Sequence, residues 1–401
     1  MNVGVVAPQS SHWEDSNRAA SILVKAFQRL EHRAWLITSV FHDGSPAVNP
    51  TLVERSERGF VELERDVSGV PTLRVLSAKA LLPGGGIVLR NFSRVLNDIV
   101  DTYSLDVVVV FSSFWNGPEE VAKLASVRKS LTAAGEVGRR SFFVYIPIYF
   151  TKFYFTKPVE YASRVMWATL NMPFILHQID LVIICCQQEA AELKQFRALP
   201  ERVVESKNWI DPELAEALDS APKGPVEDFE YIVSYVGPLE GDRNVHLLVK
   251  VAEKLQGKAG VVVAGGGEAA HRLRREAAAR KNLVLLERHD VRQIASIIKS
   301  SIAGVDFSPC EPMGIRALEY LYAGVPFAAS PGSRALWYIT DGVEGIHLDY
   351  TEGVDKFVKW VDTLIKKPEM REEVGRRARR KAEGLIAVKL AELIAERARQ
   401  A

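Results

Sequence analysis

Short apolar runs rich in β-branched residues alternate along the whole chain with longer amphipathic segments, which predicts strands followed by helices. In the first half, strands are predicted at Val3–Ala7, Ala34–Thr38, Leu73–Leu76, Val107–Ser112, Phe142–Ile148 and Leu181–Cys185. In the second half, they are predicted at Ile232–Val236, Val261–Ala264, Leu283–Leu286, Ala303–Ser308, Pro326–Ala329 and Gly345–Leu348. Strands of this kind belong to parallel sheets that helices cover on both faces, so the fold class is α/β.

The two sets of strands are similar, and a polar stretch with two prolines, residues 219–228, separates them. That composition is typical of an interdomain linker. A chain of 401 residues is also too long for one comfortable core. We therefore predict two Rossmann-like doubly wound domains, residues 1–218 and 219–401, facing each other across a cleft. The second ends in charged helix from Pro368 onward, and ligands are expected beyond the carboxyl ends of the strands.

The charge balance, the apolar stretches and the cysteines of the chain limit the classes of function that it is expected to have. Fifty-one Lys and Arg against fifty Asp and Glu leave the net charge near zero, so bulk electrostatics does not favour nucleic acid as a partner. Asn2–Ala7 has the pattern of a strand rather than of a signal peptide, and no apolar stretch reaches the roughly 18 residues of a spanning helix. Three cysteines without metal spacing indicate reduced thiols and a cytoplasmic protein. With no Asp-x-Asp pair either, we expect no metal.

The segment from Phe307 to Pro326 carries the most chemistry. A strand ends near Ser308, a tight loop carries Glu311 and Gly314, and a helix is predicted from about Ile315 until Gly324 ends it. The free N–H groups and partial positive charge of the helix N-terminus suit a diphosphate or sugar hydroxyls. Glu319 lies at the edge of an apolar stripe on this helix, where a carboxylate needs a partner. Taken alone, both glutamates are compatible with purely structural roles.

This segment resembles the Glu-x7-Glu motif of the retaining GT-B glycosyltransferases of family 4, also called glycosyl transferases group 1. Glu311-Pro312-Met313-Gly314 matches its start, and Glu319, Ala323, Gly324 and Pro326 match its continuation. The resemblance implies that Glu311 approaches the transferred sugar and that Glu319 binds the ribose of the nucleotide. It also implies that the backbone N–H groups of Met313, Gly314 and Ile315 face the sugar and the phosphates of the donor.

Two further loops agree with the resemblance. The loop that begins at Gly237 resembles the family's phosphate loop, in which an Arg and a Lys neutralise the donor diphosphate. Arg243 occupies the Lys position and is assigned to catalysis, but Pro238 replaces the Arg. Gly265 and Gly267 lie where the family carries a G-x-G turn, and we assign them with Gly237 to the donor site.

The first half of the chain resembles the family less closely. The glycine-rich loop expected after the first strand is missing, and His12, Trp13 and Glu14 are candidates for facing the cleft instead. Residues 142–157 form an aromatic segment that includes Lys152 and Lys157. This segment predicts either core packing or peripheral contact with a membrane or a lipid acceptor.

The resemblance implies a retaining, metal-independent glycosyltransferase that uses a nucleotide-sugar donor as co-substrate, needs no other cofactor and acts on an unidentified acceptor. Two alternatives remain open. Gly265–Gly267 after a strand, with Glu287 twenty residues further on, imitates a dinucleotide fingerprint and would suit an NAD-dependent Rossmann enzyme. Pro238 and the missing glycine loop would suit a GT-B-like binding subunit with impaired catalysis.

Overall fold

The structure is a computed structural model that describes residues 1–11, 15–67, 69–79, 87–136, 140–149, 158–196, 200–207, 209–222, 229–287, 290–309 and 311–401. The chain divides into two compact units. Unit 1 comprises Met1–Trp209 together with Ala387–Ala401, and unit 2 comprises Ile210–Ile386. The division therefore lies nine residues before the predicted one at 218/219, and the last helix belongs with the first unit rather than with the second.

The N-terminal part of unit 1 alternates strands with helices. Its strands are β1 (Asn2–Val6), β2 (Arg33–Ser39), β3 (Phe41–His42), β4 (Ser45–Pro46), β5 (Phe60–Leu63), β6 (Thr72–Val75), β7 (Ser77–Lys79), β8 (Ile87–Leu89), β9 (Val107–Phe111), β10 (Phe142–Ile146), β11 (Leu181–Ile184) and β12 (Val203–Glu205). Its helices are α1 (Asp15–Arg29), α2 (Pro50–Glu54), α3 (Phe92–Thr102), α4 (Gly117–Ala133), α5 (Pro158–Gln178) and α6 (Gln187–Lys194), with a short 3₁₀ turn at Pro200–Arg202.

The main sheet of unit 1 has the strand order β12-β11-β10-β9-β1-β2-β6-β5. Its neighbouring strands are parallel, apart from β5, which runs antiparallel to β6. The central strand β9 is buried along its whole length, as its apolar sequence VVVVF requires. Helix α3 covers the sheet with one apolar face, which carries Phe92, Leu96 and Ile99.

Unit 2 is the smaller unit and has a simpler pattern. Its strands are β13 (Ile232–Val236), β14 (Gly260–Ala264), β15 (Leu283–Leu286), β16 (Ser301–Asp306), β17 (Phe327–Ala329) and β18 (Gly345–His347). Its helices are α7 (Pro212–Ser220), α8 (Leu247–Lys254), α9 (Ala270–Ala278), α10 (Val291–Ser300), α11 (Ile315–Tyr322), α12 (Gly353–Lys366) and α13 (Pro368–Ala382), with 3₁₀ turns at Gly241–Arg243 and Arg334–Trp337.

The sheet of unit 2 is parallel throughout and has the order β15-β14-β13-β16-β17-β18. Counted within the unit, this is the order 3-2-1-4-5-6 of a Rossmann fold, so the doubly wound prediction is confirmed. The strand order reverses between β13 and β16. In open α/β sheets a ligand site lies outside the carboxyl ends of the strands at this reversal, so a ligand is expected at the loops after β13 and β16.

The last helix, α14 (Val388–Gln400), packs on α1 of unit 1 and buries Leu390, Ala391 and Ile394. At the other side of the division, α7 packs on α10 within unit 2. Asp219, which we placed in the predicted linker, lies inside α7 and accepts hydrogen bonds from Tyr322 and Arg379. Residues 223–228 of that predicted linker are outside the described residues. Among the described residues, the structure contains no helix with the length and apolar character needed to cross a membrane.

Candidate functional site

Glu311 lies just beyond β16, at the reversal of strand order in unit 2. Its backbone runs beside Ser333 in an isolated parallel bridge, and its carbonyl accepts from the N–H of Arg334 at 2.9 Å. Its carboxylate accepts a hydrogen bond from the Arg243 guanidinium at 2.5 Å, and the backbone N–H groups of Met313 and Gly314 donate to the other oxygen at 3.2 and 3.4 Å. The carboxylate is therefore held in one orientation at the N-terminal end of α11.

Arg243 ends the 3₁₀ turn Gly241–Arg243 and is buried. Besides its ion pair with Glu311, it donates to the Ser308 hydroxyl at 3.4 Å. The two charged residues are 68 positions apart in sequence, and the parallel sheet brings them together because β13 and β16 are neighbours. Pro238, which stands where the family has its Arg, accepts from the buried Tyr235 hydroxyl at 2.7 Å through its carbonyl.

Asp306, the last residue of β16, adds a third charge that we did not single out from the sequence. One carboxylate oxygen accepts from the backbone N–H of Ser308 at 2.8 Å, which shapes the turn toward Glu311. Enclosure by protein atoms, followed by repulsion from Glu311, raises the pKa of Asp306 to about 6, although Arg243 acts in the opposite direction. A lone Asp at the end of an apolar strand was the signal in the sequence that could have identified it.

Gly237, Gly265 and Gly267, which we assigned to the donor site, lie where two loops pack closely against each other. A Cβ atom on Gly265 would lie 2.0 Å from the Gly237 carbonyl oxygen, and one on Gly267 would lie 2.5 Å from the Leu239 carbonyl oxygen. Gly267 also has φ +146°. Leu239 in turn donates to Gly266 at 2.8 Å and accepts from Ala269 at 2.8 Å. The loops after β13 and β14 are thus packed backbone against backbone, where side chains do not fit.

Helix α11 begins after Gly314, which has φ +68° and whose Cβ would lie 2.7 Å from the Ala335 nitrogen. The helix spans Ile315–Tyr322 as predicted and is buried throughout. Met313 and Ile315 are fully buried, so the contact of their backbone N–H groups with a ligand stays a prediction.

Glu319 is also fully buried and accepts from Arg316, one turn earlier on α11, at 2.9 Å. This arginine is the partner that the position of Glu319 required. The environment of Glu319 differs from the predicted edge of an apolar stripe, because α11 is buried along its whole length. The charged hydrogen bond with Arg316 accounts for a structural role of Glu319, and its role toward a ribose stays a prediction.

The remaining candidate residues are either buried or outside the described residues. Residues 142–149 are buried, which agrees with core packing and not with lipid contact along that part of the aromatic segment. Residues 12–14, 150–157 and Cys310 lie outside the described residues. Cys185 and Cys186 are buried. In the described part of the chain, no three His, Cys, Asp or Glu residues are grouped so that they could hold a metal ion.

Solved glycosyltransferase structures share this fold over nearly the whole chain. Sucrose-phosphate synthase from Thermosynechococcus elongatus is 15% identical with a TM-score of 0.61, and 98% of each chain is covered. Anabaena HepE in complex with UDP-glucose is 14% identical with a TM-score of 0.58 and the same coverage. The catalytic domain of starch synthase IV from Arabidopsis thaliana, bound to ADP and acarbose, is 14% identical with a TM-score of 0.60, and 99% of each chain is covered. The chain therefore has the GT-B fold, with two Rossmann-like domains.

The sequence of the second half supports the same class of protein. Residues 219–381 match the model of the family described as glycosyl transferases group 1. This segment contains the Glu311 site, and the match confirms the resemblance to glycosyl transferases group 1 that the motif indicated. None of the curated protein sequences matches the chain.

Proposed function

We propose that the protein is a retaining glycosyltransferase that transfers a sugar from a nucleotide-sugar donor without a metal ion. The observation that carries the proposal is the Glu311 carboxylate, held by Arg243 and by the N–H groups of Met313 and Gly314 at the reversal of strand order. Its place within the segment that matches glycosyl transferases group 1 supports the same function. So do fold neighbours solved with UDP-glucose and with ADP.

In this proposal the donor diphosphate lies between the loop after β13 and the start of α11. Arg243 supplies fixed positive charge for the leaving group, and the N-terminus of α11 adds the partial charge of its backbone dipoles. Glu311 acts as an acceptor for sugar hydroxyls rather than as a nucleophile. Its oxygens already accept from a guanidinium and from backbone N–H groups, which fixes them and reduces their tendency to attack.

Product stereochemistry is the decisive test. After a donor and an acceptor have been found, NMR of the product should show the anomeric configuration of the donor, and EDTA-treated enzyme should keep its activity. An inverted anomer would refute the retaining mechanism. Activity that is lost in EDTA and restored by Mn²⁺ or Mg²⁺ would refute the metal-independent one.

Donor class is testable beforehand by thermal stabilisation with UDP-, GDP- and ADP-sugars and with NAD, because a bound ligand raises stability by RT ln(1 + [L]/Kd). We expect a nucleotide sugar to stabilise the protein and NAD to have no effect. The contacts of Gly265 and Gly267 are accounted for by packing against the loop after β13, so the dinucleotide alternative has no observation in its favour. Donor binding without transfer to any acceptor would instead support the impaired binding subunit that Pro238 suggests.

A further inference from the structure

Helix α5 of unit 1 presents an apolar face to solvent. It packs on α4 and buries Ala168, Met172, Ile175 and Leu176 on its inner side. On the outer side Val159 is 64% exposed, Met166 62% and Leu170 71%, and Phe174 is exposed as well. Their spacings of seven, four and four residues place them on one face of the helix. A surface helix normally has the opposite arrangement, with its polar face outward.

The outer face of α5 is also poor in charge and in hydrogen-bonding groups, and its exposed polar residues are Thr169 and, in the last turn, His177. The helix is described throughout, and none of its exposed residues is an acid, a lysine or an arginine. The exposed Thr169 hydroxyl already donates to the Val165 carbonyl at 2.8 Å. The charged residues of the helix are turned to intramolecular partners, since Glu160 pairs with Arg164 at 3.2 Å and the Arg164 guanidinium lies 4.5 Å from the centre of the Phe114 ring.

A cluster of cations lies at the C-terminal end of this helix. Arg202 donates to the carbonyls of His177 and Ile179 at 3.2 and 3.1 Å, and Lys129 donates to the Gln178 carbonyl. Arg140 and Lys129 share Asp180 as their carboxylate partner. Three cations against one carboxylate leave this end of the helix with an excess of positive charge.

We propose that α5 is an interfacial helix that docks unit 1 onto a bilayer containing anionic phospholipid. A protein partner would be expected to bring about one hydrogen bond per 100–200 Å² of interface, and the outer face of α5 offers very few groups for such bonds. The boundary of a bilayer needs none. At 1.5 Å per residue the helix of 21 residues is about 30 Å long, enough to lie along the surface with its side chains among the acyl chains. The cations at its end match the negative headgroups.

Vesicle flotation of the full chain tests this proposal. With vesicles of phosphatidylglycerol and phosphatidylcholine we expect the protein to float. The Leu170→Glu variant should bind at least tenfold less, because a carboxylate then enters the apolar face. Leu52→Glu is the matched control, since Leu52 is a 60% exposed leucine on α2 of the same unit, and it should bind like the unchanged protein. Arg140→Gln, vesicles of phosphatidylcholine alone and high salt should each weaken binding.

Thermal unfolding of each variant checks that the fold is intact, and Leu170→Gln replaces Leu170→Glu if the charge prevents folding. The proposal is overturned if the unchanged protein does not float, or if Leu52→Glu and Leu170→Glu lower binding equally. It is also overturned if light scattering reveals a dimer that Leu170→Glu dissociates while no vesicle binding is found, because a second copy then covers the face. None of these readouts depends on the donor chemistry proposed above.

Discussion

At the scale of single residues, Glu319 has two roles to separate. It is fully buried with Arg316 as its partner, so Glu319→Ala should lower the free energy of unfolding by about 3–5 kcal/mol, as expected when one member of a buried ion pair is removed. Replacing both members with apolar residues, Arg316→Met with Glu319→Leu, should recover most of that stability.

If Glu319 also binds ribose, the recovered double variant should still bind the nucleotide at least tenfold more weakly. Calorimetry measures the unfolding and the titration on the same samples. Full nucleotide affinity in the stable double variant would show that Glu319 serves the fold alone.

Arg243 is the cation in direct contact with Glu311, and charge develops on the diphosphate as the glycosidic bond breaks. We therefore expect Arg243→Ala to lower kcat by about 10²- to 10³-fold while donor affinity changes less, as for the loss of one donor to a developing anion. Steady-state kinetics and donor titration distinguish the two effects. Arg274→Ala, which removes an exposed arginine paired with Glu287 at 2.6 Å, is the control. An unchanged kcat in Arg243→Ala would assign the leaving group to another cation.

Asp306 links stability to pH. Its pKa is about 6 in the folded protein against an ordinary value of 3.8, chiefly because it is enclosed and secondly because Glu311 is near. Between these pH values the unfolded chain loses the proton first, so the contribution of Asp306 to the free energy of unfolding falls as pH rises and is constant above about 6. Asp306→Asn should therefore gain stability relative to the unchanged protein across this window, by at most about 3 kcal/mol.

Denaturant titrations at a series of pH values measure that difference. Asp349→Asn serves as the control because Asp349 is more than half exposed beside Lys356, and an exposed ion pair contributes little to stability. A difference that does not change with pH for Asp306→Asn would contradict the raised pKa of Asp306.

At the scale of elements, the two glycine loops of unit 2 form one structure. Gly265→Ala would place a methyl group 2.0 Å from the Gly237 carbonyl oxygen, so we expect a loss of about 3 kcal/mol or more in stability. Gly353→Ala is the matched control, because its added Cβ would be 3.5 Å from the Leu348 side chain, an ordinary contact. Urea denaturation compares the two. Equal stability would show that the loops separate easily, and would return Gly265 to consideration as a ligand contact.

Local patterns were sufficient to predict most of the elements. Each of the twelve predicted strands is present, and Ile232–Val236 and Leu283–Leu286 have the predicted bounds. The helix at Ile315–Tyr322 was recognised because Gly314 and Gly324 mark its ends. The strand Phe60–Leu63 was not predicted, because its alternation with acidic residues is short. It pairs with β6 at the edge of the sheet, and the local sequence does not indicate that pairing.

The sequence does not show which residues far apart in the chain are in contact. It supplied Glu311 and Arg243 as separate candidates, and only the order of strands explains why they touch. The same limit applies to α14, whose amphipathic sequence predicts a helix without identifying the surface that it covers. Contacts of this kind depend on the three-dimensional arrangement, and periodicity contains no record of them.

At the scale of the whole molecule, both ends of the chain build unit 1. Helix α14 packs on α1 and buries Leu390 and Ile394, each worth about 1.5–3 kcal/mol on burial. Truncation after Ile386 should therefore reduce hydrogen-exchange protection in α1 and leave α11 of unit 2 unchanged. Exchange measured by mass spectrometry on both proteins tests this. Equal protection of α1 in the two proteins would show that α14 contributes little to unit 1.

Because α14 packs on unit 1, the structure also implies an order in which the parts of the chain fold during synthesis on the ribosome. Unit 1 begins to form first, but α14 is translated only after the whole of unit 2. At roughly 5–20 residues per second, unit 2 takes on the order of ten to thirty seconds to synthesise, and during this time the surface of α1 that α14 later covers stays open. A nascent chain of this protein therefore offers a transient apolar groove to chaperones, and α14 covers that groove once it has been synthesised.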